Sequence, residues 1–316
     1  MLKRSLLSDW FSYENTSRNS RRWWFGGPSR MKFRIKAMFA GCALVLGAAS
    51  TPALADGTSP QLRSASFVVV SERTGQVLVE QNATKAAPIA SITKLMTAMV
   101  VLDARQSLSE TLRVTSDDID RLKNSGSRLR VGTRLTREEM LNLALMSSEN
   151  RAASALARYY PGGTRAFVNA MNVKARMLGL ADTRFADSSG LDPRNVSSPR
   201  DLVRLVSVAA TYPLVREFST REERYVKLGG RMERFGNSNP LVRDDTWQVG
   251  VSKTGFIREA GRCLVMQAWV RDEPVIMVLL NSQGTWTRTA DAKRVKAWLE
   301  TLDTERVAAL APGSGG

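Results

Sequence analysis

The order of the predicted elements constrains the fold of this chain more than any other feature. Runs rich in β-branched residues lie near both ends of residues 62–303, and the segments between them carry the apolar spacing of helices. Strands are expected over residues 66–71, 76–80, 224–227, 247–253, 262–270 and 274–281. Helices are expected over residues 91–104, 137–147, 150–159, 164–178, 200–210 and 288–302. Strands on both sides of a helical middle predict an α+β protein, in which one antiparallel sheet is flanked by helices and carries a helical subdomain.

Residues 31–55 have the pattern of a secretory signal. The basic run from Lys32 to Lys36 is followed by an apolar stretch and then by Ala53-Leu54-Ala55. The stretch holds about 14 residues, fewer than the roughly 20 that a membrane span needs. We therefore expect export, cleavage near Ala55 and no stable membrane anchor after processing. The sequence leaves open whether translation starts at Met1 or at Met31.

These features predict three regions. Residues 1–55 form an N-terminal extension and signal peptide, residues 56–310 form one domain, and the Gly-rich residues 311–316 form a disordered tail. The formal net charge is +16 for the full sequence and +9 without residues 1–55, and this excess suits a polyanionic neighbourhood such as a cell envelope or a nucleic acid. Export argues against nucleic acid, and a generally basic surface without a specific partner remains an alternative.

The chain has no histidine and only two cysteines, Cys42 and Cys263. The missing histidine excludes Ser-His-Asp and Cys-His catalysis and histidine-rich zinc sites. Cys42 lies in the predicted signal, so Cys263 is left without a disulfide partner and is expected to be a small core residue. Hydrolytic chemistry in this chain must therefore use serine, threonine, lysine, tyrosine or carboxylates.

A lysine three residues after a serine on one helical face is the simplest way to activate a serine without histidine. Ser91-Ile-Thr-Lys94 has this spacing at the start of a predicted helix, where the helix dipole would favour a developing oxyanion. The spacing alone is weak, because Ser29-Arg-Met-Lys32 repeats it. A helix-start serine beside a surface lysine would look the same.

Two further motifs follow in order. Ser148-Glu-Asn150 lies at a predicted helix junction, and Lys253-Thr-Gly255 lies at the end of a predicted strand. The ordered set Ser-x-x-Lys, Ser-x-Asn and Lys-Thr-Gly resembles the signature of the penicillin-binding proteins and serine β-lactamases. The order of the three motifs is far more specific than any one of them.

Each motif suits a task in acyl transfer. Ser91 would attack an amide carbonyl and Lys94 would take its proton, which requires the lysine pKa to fall by roughly 3 units from about 10.4 through burial and repulsion by Lys253. Ser148 would relay a proton to the leaving amine, and Asn150 would bind Lys94 and the substrate. Lys253 and Thr254 would bind a carboxylate, Gly255 would let the substrate approach the strand, and the Phe256 amide would be a second oxyanion donor.

The resemblance extends over residues 62–303. The segments around the three motifs, 88–98, 145–153 and 252–263, are similar to the low-molecular-mass penicillin-binding proteins of the D-alanyl-D-alanine endopeptidase type. The resemblance implies a DD-peptidase/β-lactamase-like fold, a periplasmic location and cleavage of D-alanyl cross-links in peptidoglycan through an acyl-enzyme. It also implies covalent inhibition by β-lactams and no metal or other cofactor.

Subclass features favour an endopeptidase. Carboxypeptidases of the family commonly add a β-domain and a membrane helix, whereas this sequence continues for only about 60 residues after Lys253. A class A β-lactamase needs a deacylating glutamate in a Glu-x-x-Leu-Asn setting after Ser-x-Asn, and no glutamate between Asn150 and Lys253 has it. A carboxypeptidase remains the first alternative, and a β-lactamase or a non-catalytic cell-wall-binding module is weaker.

Three other positions are expected to be structural. Glu259 is expected to hold the turn after the Lys-Thr-Gly strand. Asn237-Ser-Asn239 is expected to be a loop, and Trp247 a core residue.

Overall fold

The computed structural model describes residues 59–302. The predicted signal, its cleavage point, Cys42 and the predicted tail all lie outside the described residues. Eleven strands are described: β1 Ser64–Ser71, β2 Val77–Gln81, β3 Ala87–Pro88, β4 Thr111–Arg113, β5 Arg134–Thr136, β6 Val196–Ser197, β7 Glu223–Leu228, β8 Arg231–Gly236, β9 Gln248–Ile257, β10 Gly261–Val270 and β11 Glu273–Ser282. Seven α-helices are described: α1 Lys94–Asp103, α2 Arg137–Met146, α3 Asn150–Arg158, α4 Gly163–Met177, α5 Pro199–Ala209, α6 Pro213–Thr220 and α7 Thr287–Thr301.

The main sheet joins the two ends of the described chain, as predicted. Its five antiparallel strands lie in the order β2-β1-β11-β10-β9, so β9 forms one edge. Val68 pairs with Val278, and Val278 pairs with Val265 on the next strand. The long continuous apolar runs of these strands are explained by burial on both faces of the sheet.

The two faces of the sheet contribute to separate hydrophobic cores. Val68, Val265 and Val278 belong to the core that includes the apolar faces of the helices between β2 and β7. The alternate residues Val69 and Met277 belong to the core that includes the apolar face of α7. This alternation follows from the period of two in a strand, which sends successive side chains to opposite faces.

The sequence predicted most elements within one or two residues and missed three kinds. The short strands β3, β4, β5 and β6 and the helix α6, which begins directly on Pro213, were not predicted. Strand β8 was missed because its sequence is largely polar and its side chains are mostly exposed, so it shows no apolar alternation. It follows β7 through Gly229 and Gly230, both at positive φ, in a two-stranded hairpin beside the main sheet.

No helix within residues 59–302 combines the length and apolarity that crossing a bilayer requires.

A single buried carboxylate ties α7 to the start of the sheet. Asp291 accepts hydrogen bonds from the amides of Arg63 and Ser64 at 2.8–3.1 Å, and from the Ser64 hydroxyl at 2.7 Å. Arg294 on the same helix adds an ion pair at 2.7 Å. Because the carboxylate is fully buried, these bonds cannot be replaced by water without rearrangement.

Asp291→Asn is expected to lower the free energy of unfolding by about 2 kcal/mol, since it removes one acceptor oxygen and the charge from a buried network. Glu300→Gln on the same helix is the matched control, because Glu300 makes only a 3.8 Å ion pair with Lys296 and its side chain is 43% exposed. Urea unfolding of both variants measures the difference. Equal midpoints for the two variants would contradict a fastening role for Asp291.

Candidate active site

Lys94 lies at the centre of the predicted site. Ser91 belongs to a turn of 3₁₀ helix, Ala90–Thr93, that precedes α1, and Lys94 is the first residue of α1. The Lys94 side chain is fully buried, and its Nζ lies 2.7 Å from Ser91 Oγ, 2.8 Å from Asn150 Oδ1 and 2.6 Å from the Ser189 carbonyl oxygen. The neutral amine could donate to the two carbonyl oxygens and accept the Ser91 hydroxyl proton, which is the arrangement of a general base.

Burial lowers the pKa of Lys94 to about 7, while the negative charges of Asp187 and Glu149 keep it from falling further. The predicted repulsion between the two lysines is present, and it lowers the pKa of Lys253. Burial holds the pKa of Lys253 well below its usual value, and repulsion by Lys94 and Arg288 adds to the effect. Lys94 is therefore poised to exchange a proton near neutral pH.

The predicted helical start at Ser91 needs a correction. Ala90 has a φ of +48°, in the left-handed region, and the α-helix begins only at Lys94. A 3₁₀ helix has three residues per turn, so the intervening turn places the side chains of Ser91 and Lys94 one above the other on the same face. The three-residue spacing was thus read correctly, although the helix type was not.

Ser148 and Asn150 lie at the junction between α2 and α3, as predicted. Ser148 has a φ of +63°, which costs a residue other than glycine roughly 1–2 kcal/mol. Within residues 59–302 its hydroxyl makes no hydrogen bond, so it is free to bind a substrate group. Asn150 is held by its second amide atom, since Nδ2 donates to Ser125 Oγ at 3.0 Å.

Lys253, Thr254 and Gly255 lie on the edge strand β9. Lys253 is 1% exposed and donates to the Thr254 carbonyl oxygen at 2.9 Å. Thr254 Oγ1 donates to Ser238 Oγ at 2.7 Å. The Ser238 contact gives a second role to the Asn237-Ser-Asn239 loop, which the sequence analysis treated as structural only.

The structure gives Gly255 a different task from the predicted one. A Cβ at Gly255 would lie 2.9 Å from the Ile89 carbonyl oxygen and 3.1 Å from the Ser91 amide nitrogen. The glycine therefore lets β9 pack against the segment that carries Ser91. Substrate access along the strand, the sequence-based reason for this glycine, stays a prediction beside the observed contact with the Ser91 segment.

The loop of residues 186–195 completes the enclosure of Lys94. The Asp187 carboxylate accepts from the amides of Ser189, Gly190 and Asp192 at 2.5–2.8 Å and so fixes the turn that presents the Ser189 carbonyl. Gly190 has a φ of +83°, and a Cβ there would lie 1.9 Å from the Ala90 carbonyl oxygen. No other residue type fits this contact without moving the Ser91 turn.

The remaining predicted positions differ in their surroundings. Phe256 is 53% exposed, and the Arg262 guanidinium lies 4.7 Å from its ring centre. The oxyanion role of the Phe256 amide stays a prediction.

Cys263 and Trp247 are buried, as expected for core residues. Burial raises the pKa of the Cys263 thiol to about 11, which keeps it protonated. Among residues 59–302, no cluster of three or more acidic or cysteine side chains could hold a metal ion.

Glu259 does more than hold its own turn. Its carboxylate forms an ion pair with Lys123, a residue 136 positions earlier in the chain.

Sequence reasoning missed four groups that complete the site. Ser125 and Ser238 act through side chains outside any motif, Ser189 acts through its backbone carbonyl, and Asp187 acts by shaping its loop. For Asp187, Ser189 and Ser238 the only sequence signals were the polar, turn-forming runs 186–192 and 237–239, and neither run includes Ser125. A backbone carbonyl leaves no trace in residue type.

Comparison with known proteins agrees with this geometry. Residues 53–284 match the peptidase S11 family, described as D-alanyl-D-alanine carboxypeptidase. The D-alanyl-D-alanine endopeptidase of Pseudomonas aeruginosa is 46% identical over 253 residues, covering 79% of this chain and 82% of that protein. The Escherichia coli protein of the same name is 41% identical over 277 residues, covering 85% and 89%.

The crystal structure of the Streptomyces K15 DD-transpeptidase superposes with a TM-score of 0.71 at 29% identity, covering 78% of this chain and 100% of that one. This similarity confirms the predicted DD-peptidase/β-lactamase-like fold. From the matched family, the named relatives and the shared fold, it follows that the chain belongs to the serine D-alanyl-D-alanine peptidases of family S11.

Proposed function

We propose that the chain is a periplasmic serine DD-endopeptidase that cleaves D-alanyl-diaminopimelyl cross-links in peptidoglycan through an acyl-enzyme on Ser91. The observation that carries the proposal is the buried Lys94 amine, 2.7 Å from Ser91 Oγ and with a pKa near neutrality. The relatives named D-alanyl-D-alanine endopeptidase support the choice of bond.

In the acylation step, Ser91 Oγ attacks the D-alanyl carbonyl carbon as its proton passes to Lys94 Nζ. The tetrahedral oxyanion is stabilised by the amides of Ser91 and Phe256. The carbon–nitrogen bond then breaks, and the proton returns from Lys94 to the leaving amine through Ser148. In deacylation, water attacks the ester as Lys94 takes its proton, and the proton is returned to Ser91 Oγ as the ester bond breaks. Asn150 holds the Lys94 amine in place during both steps.

The leaving residue carries a carboxylate beside the amine that is released, and we assign this carboxylate to Lys253 and Thr254. The Thr254 hydroxyl donates its hydrogen bond only to Ser238 Oγ in the free protein, so it can donate to the substrate carboxylate instead when the substrate binds. The carboxylate would offset the burial of Lys253 and so would raise the pKa of that lysine when the substrate binds. Arg288, which acts on the pKa of Lys253, adds positive potential there.

The location and the inhibitors follow from the same proposal. The signal pattern that ends near Ala55 supports export to the periplasm, where the peptidoglycan substrate lies. Penicillins present a strained amide beside a carboxylate, so Ser91 would acylate them by the step described above. Loss of the enzyme would alter cross-linking of the cell wall and hence cell shape.

Ser91→Ala is expected to abolish the covalent adduct with benzylpenicillin, because no other serine in residues 59–302 lies against a buried lysine amine. Intact-mass spectrometry should show one adduct on the unmodified protein and on Ser109→Ala, a control at an exposed serine that bonds only Ser107. An adduct that persists in Ser91→Ala would refute the assignment of the nucleophile.

The acylation rate is expected to rise with pH and to reach half its maximum near pH 7, because only the neutral form of Lys94 accepts the Ser91 proton. Lys94→Arg keeps a charge and should slow acylation by about 10²–10⁴-fold. Glu149→Gln removes a negative charge that raises the pKa of Lys94, so the midpoint should move to lower pH.

Stopped-flow measurement of acylation by a chromogenic β-lactam follows all three proteins. Histidine is the usual source of a rate midpoint near pH 7, but the chain has none, so the midpoint of the acylation rate cannot come from an imidazole. A midpoint that stays in place or rises in Glu149→Gln would contradict the electrostatic account.

Cross-linked dimers and pentapeptide monomers offered together should show the endopeptidase preference. We expect kcat/KM for dimer cleavage to exceed that for release of terminal D-alanine by at least about tenfold, or about 1.4 kcal/mol. Mass spectrometry of the products separates the two reactions. Free D-alanine appearing faster than monomer would favour the carboxypeptidase alternative, which is the activity in the family's description.

A further inference from the structure

The proposed function sets an order of subsites along the edge strand β9, and the inference below rests on it. The carboxylate of the leaving residue lies at Lys253 and Thr254, and the reacting carbonyl lies between Ser91 and the Phe256 amide. The acyl part of the substrate must then continue past Phe256, toward the turn of residues 258–260 that joins β9 to β10.

An ion pair joins the helical subdomain to the main sheet at that end of β9. Lys123 Nζ lies 2.5 Å from Glu259 Oε1, and the two side chains are 27% and 41% exposed. Lys123 belongs to the loop between a short 3₁₀ helix, Ser116–Asp118, and β5, whereas Glu259 lies in the β9–β10 turn. The pair therefore connects the helical subdomain to the main sheet beside the acyl end of the proposed substrate path.

The Lys123 loop is held against the catalytic motif. The Asp120 carboxylate accepts from the amides of Leu122, Lys123 and Ser125 at 2.8–3.0 Å, which fixes the turn. Ser125 Oγ in turn accepts from Asn150 Nδ2. Lys123 is thus placed at a defined distance from the residue that bonds Lys94, as a specificity residue requires.

A second ion pair lies near the first. Arg194 and Asp192 are paired at 2.5 Å. The hydrogen bond from Arg194 lowers the pKa of Asp192, and the charge of Lys123 lowers it further, so Lys123 acts on Asp192 electrostatically as well as pairing with Glu259. The Lys123–Glu259 pair thus presents both signs of charge at this end of β9, which suits a ligand that carries both signs.

We propose that Lys123 and Glu259 bind an acyl-side substituent that carries an ammonium and a carboxylate on one carbon. The proposed substrate has such a group at the free end of the diaminopimelyl side chain in the donor peptide. Lys123 binds the carboxylate of this group and Glu259 binds its ammonium. Two ion pairs with the substrate thus replace the ion pair between Lys123 and Glu259. The exchange is feasible because a partly exposed ion pair contributes little to stability by itself.

The test compares three purified cross-linked dimers: one with the free donor group, one with its carboxylate amidated and one with its amine acetylated. The unmodified enzyme is expected to favour the free form over each modified form by about tenfold in kcat/KM, or about 1.4 kcal/mol. Lys123→Ala should lose the discrimination against the amidated dimer. Glu259→Ala should lose the discrimination against the acetylated dimer.

Glu273→Ala is the matched control, because Glu273 forms an exposed ion pair with Arg73 at the opposite end of β10. It should keep both preferences. Acylation by benzylpenicillin, which lacks the charged substituent, should stay within about twofold in all three variants and so shows that the catalytic groups are intact.

Single variants that keep both preferences would overturn the proposal. Penicillin acylation without dimer cleavage by the unmodified enzyme would contradict the proposed endopeptidase function instead. Pentapeptide monomers with the same three modifications then decide the present proposal, since their acyl part is identical.

Discussion

The contact between the buried Lys94 amine and Ser91 Oγ is the interaction on which the rest of the site depends. Removing a lysine from water is costly, and here its three close partners are a hydroxyl, an amide oxygen and a backbone carbonyl, none of them charged. Each partner comes from a different segment, so the amine is enclosed only when these segments are assembled. The close approach at Gly190 and Gly255 follows from this requirement, because both glycines let neighbouring backbone reach the Ser91 turn.

The electrostatics of the site set two lysines to different tasks. Burial acts on both, but Asp187 and Glu149 hold the pKa of Lys94 near neutrality, whereas Lys94 and Arg288 push the pKa of Lys253 further down. Lys94 can therefore act as a base near neutral pH, while an anion bound beside Lys253 would raise the pKa of that lysine. A base with a pKa near 7 replaces the histidine that this chain lacks.

The sequence predicted what depends on residue type and local spacing. Apolar periodicity located the sheet strands and six of the seven helices, and the order of three short motifs identified the residues that meet at the site. It could not predict the Ser189 carbonyl or the Lys123–Glu259 pair, because a backbone group has no sequence signal and a contact over 136 residues depends on the fold. Strand β8 escaped prediction for a related reason, since its pairing with β7 rather than its own polarity makes it a strand.

The central claim is that Lys94 is neutral in a substantial fraction of the free enzyme at neutral pH. It is tested most directly by NMR titration of the protein with ¹³C-labelled lysine, with the Lys94 Cε signal assigned by its loss in Lys94→Arg. The account predicts a titration midpoint near pH 7 for this signal, about 3 units below the value of a free lysine. A Lys94 signal that stays in the charged form up to pH 9 would contradict the account.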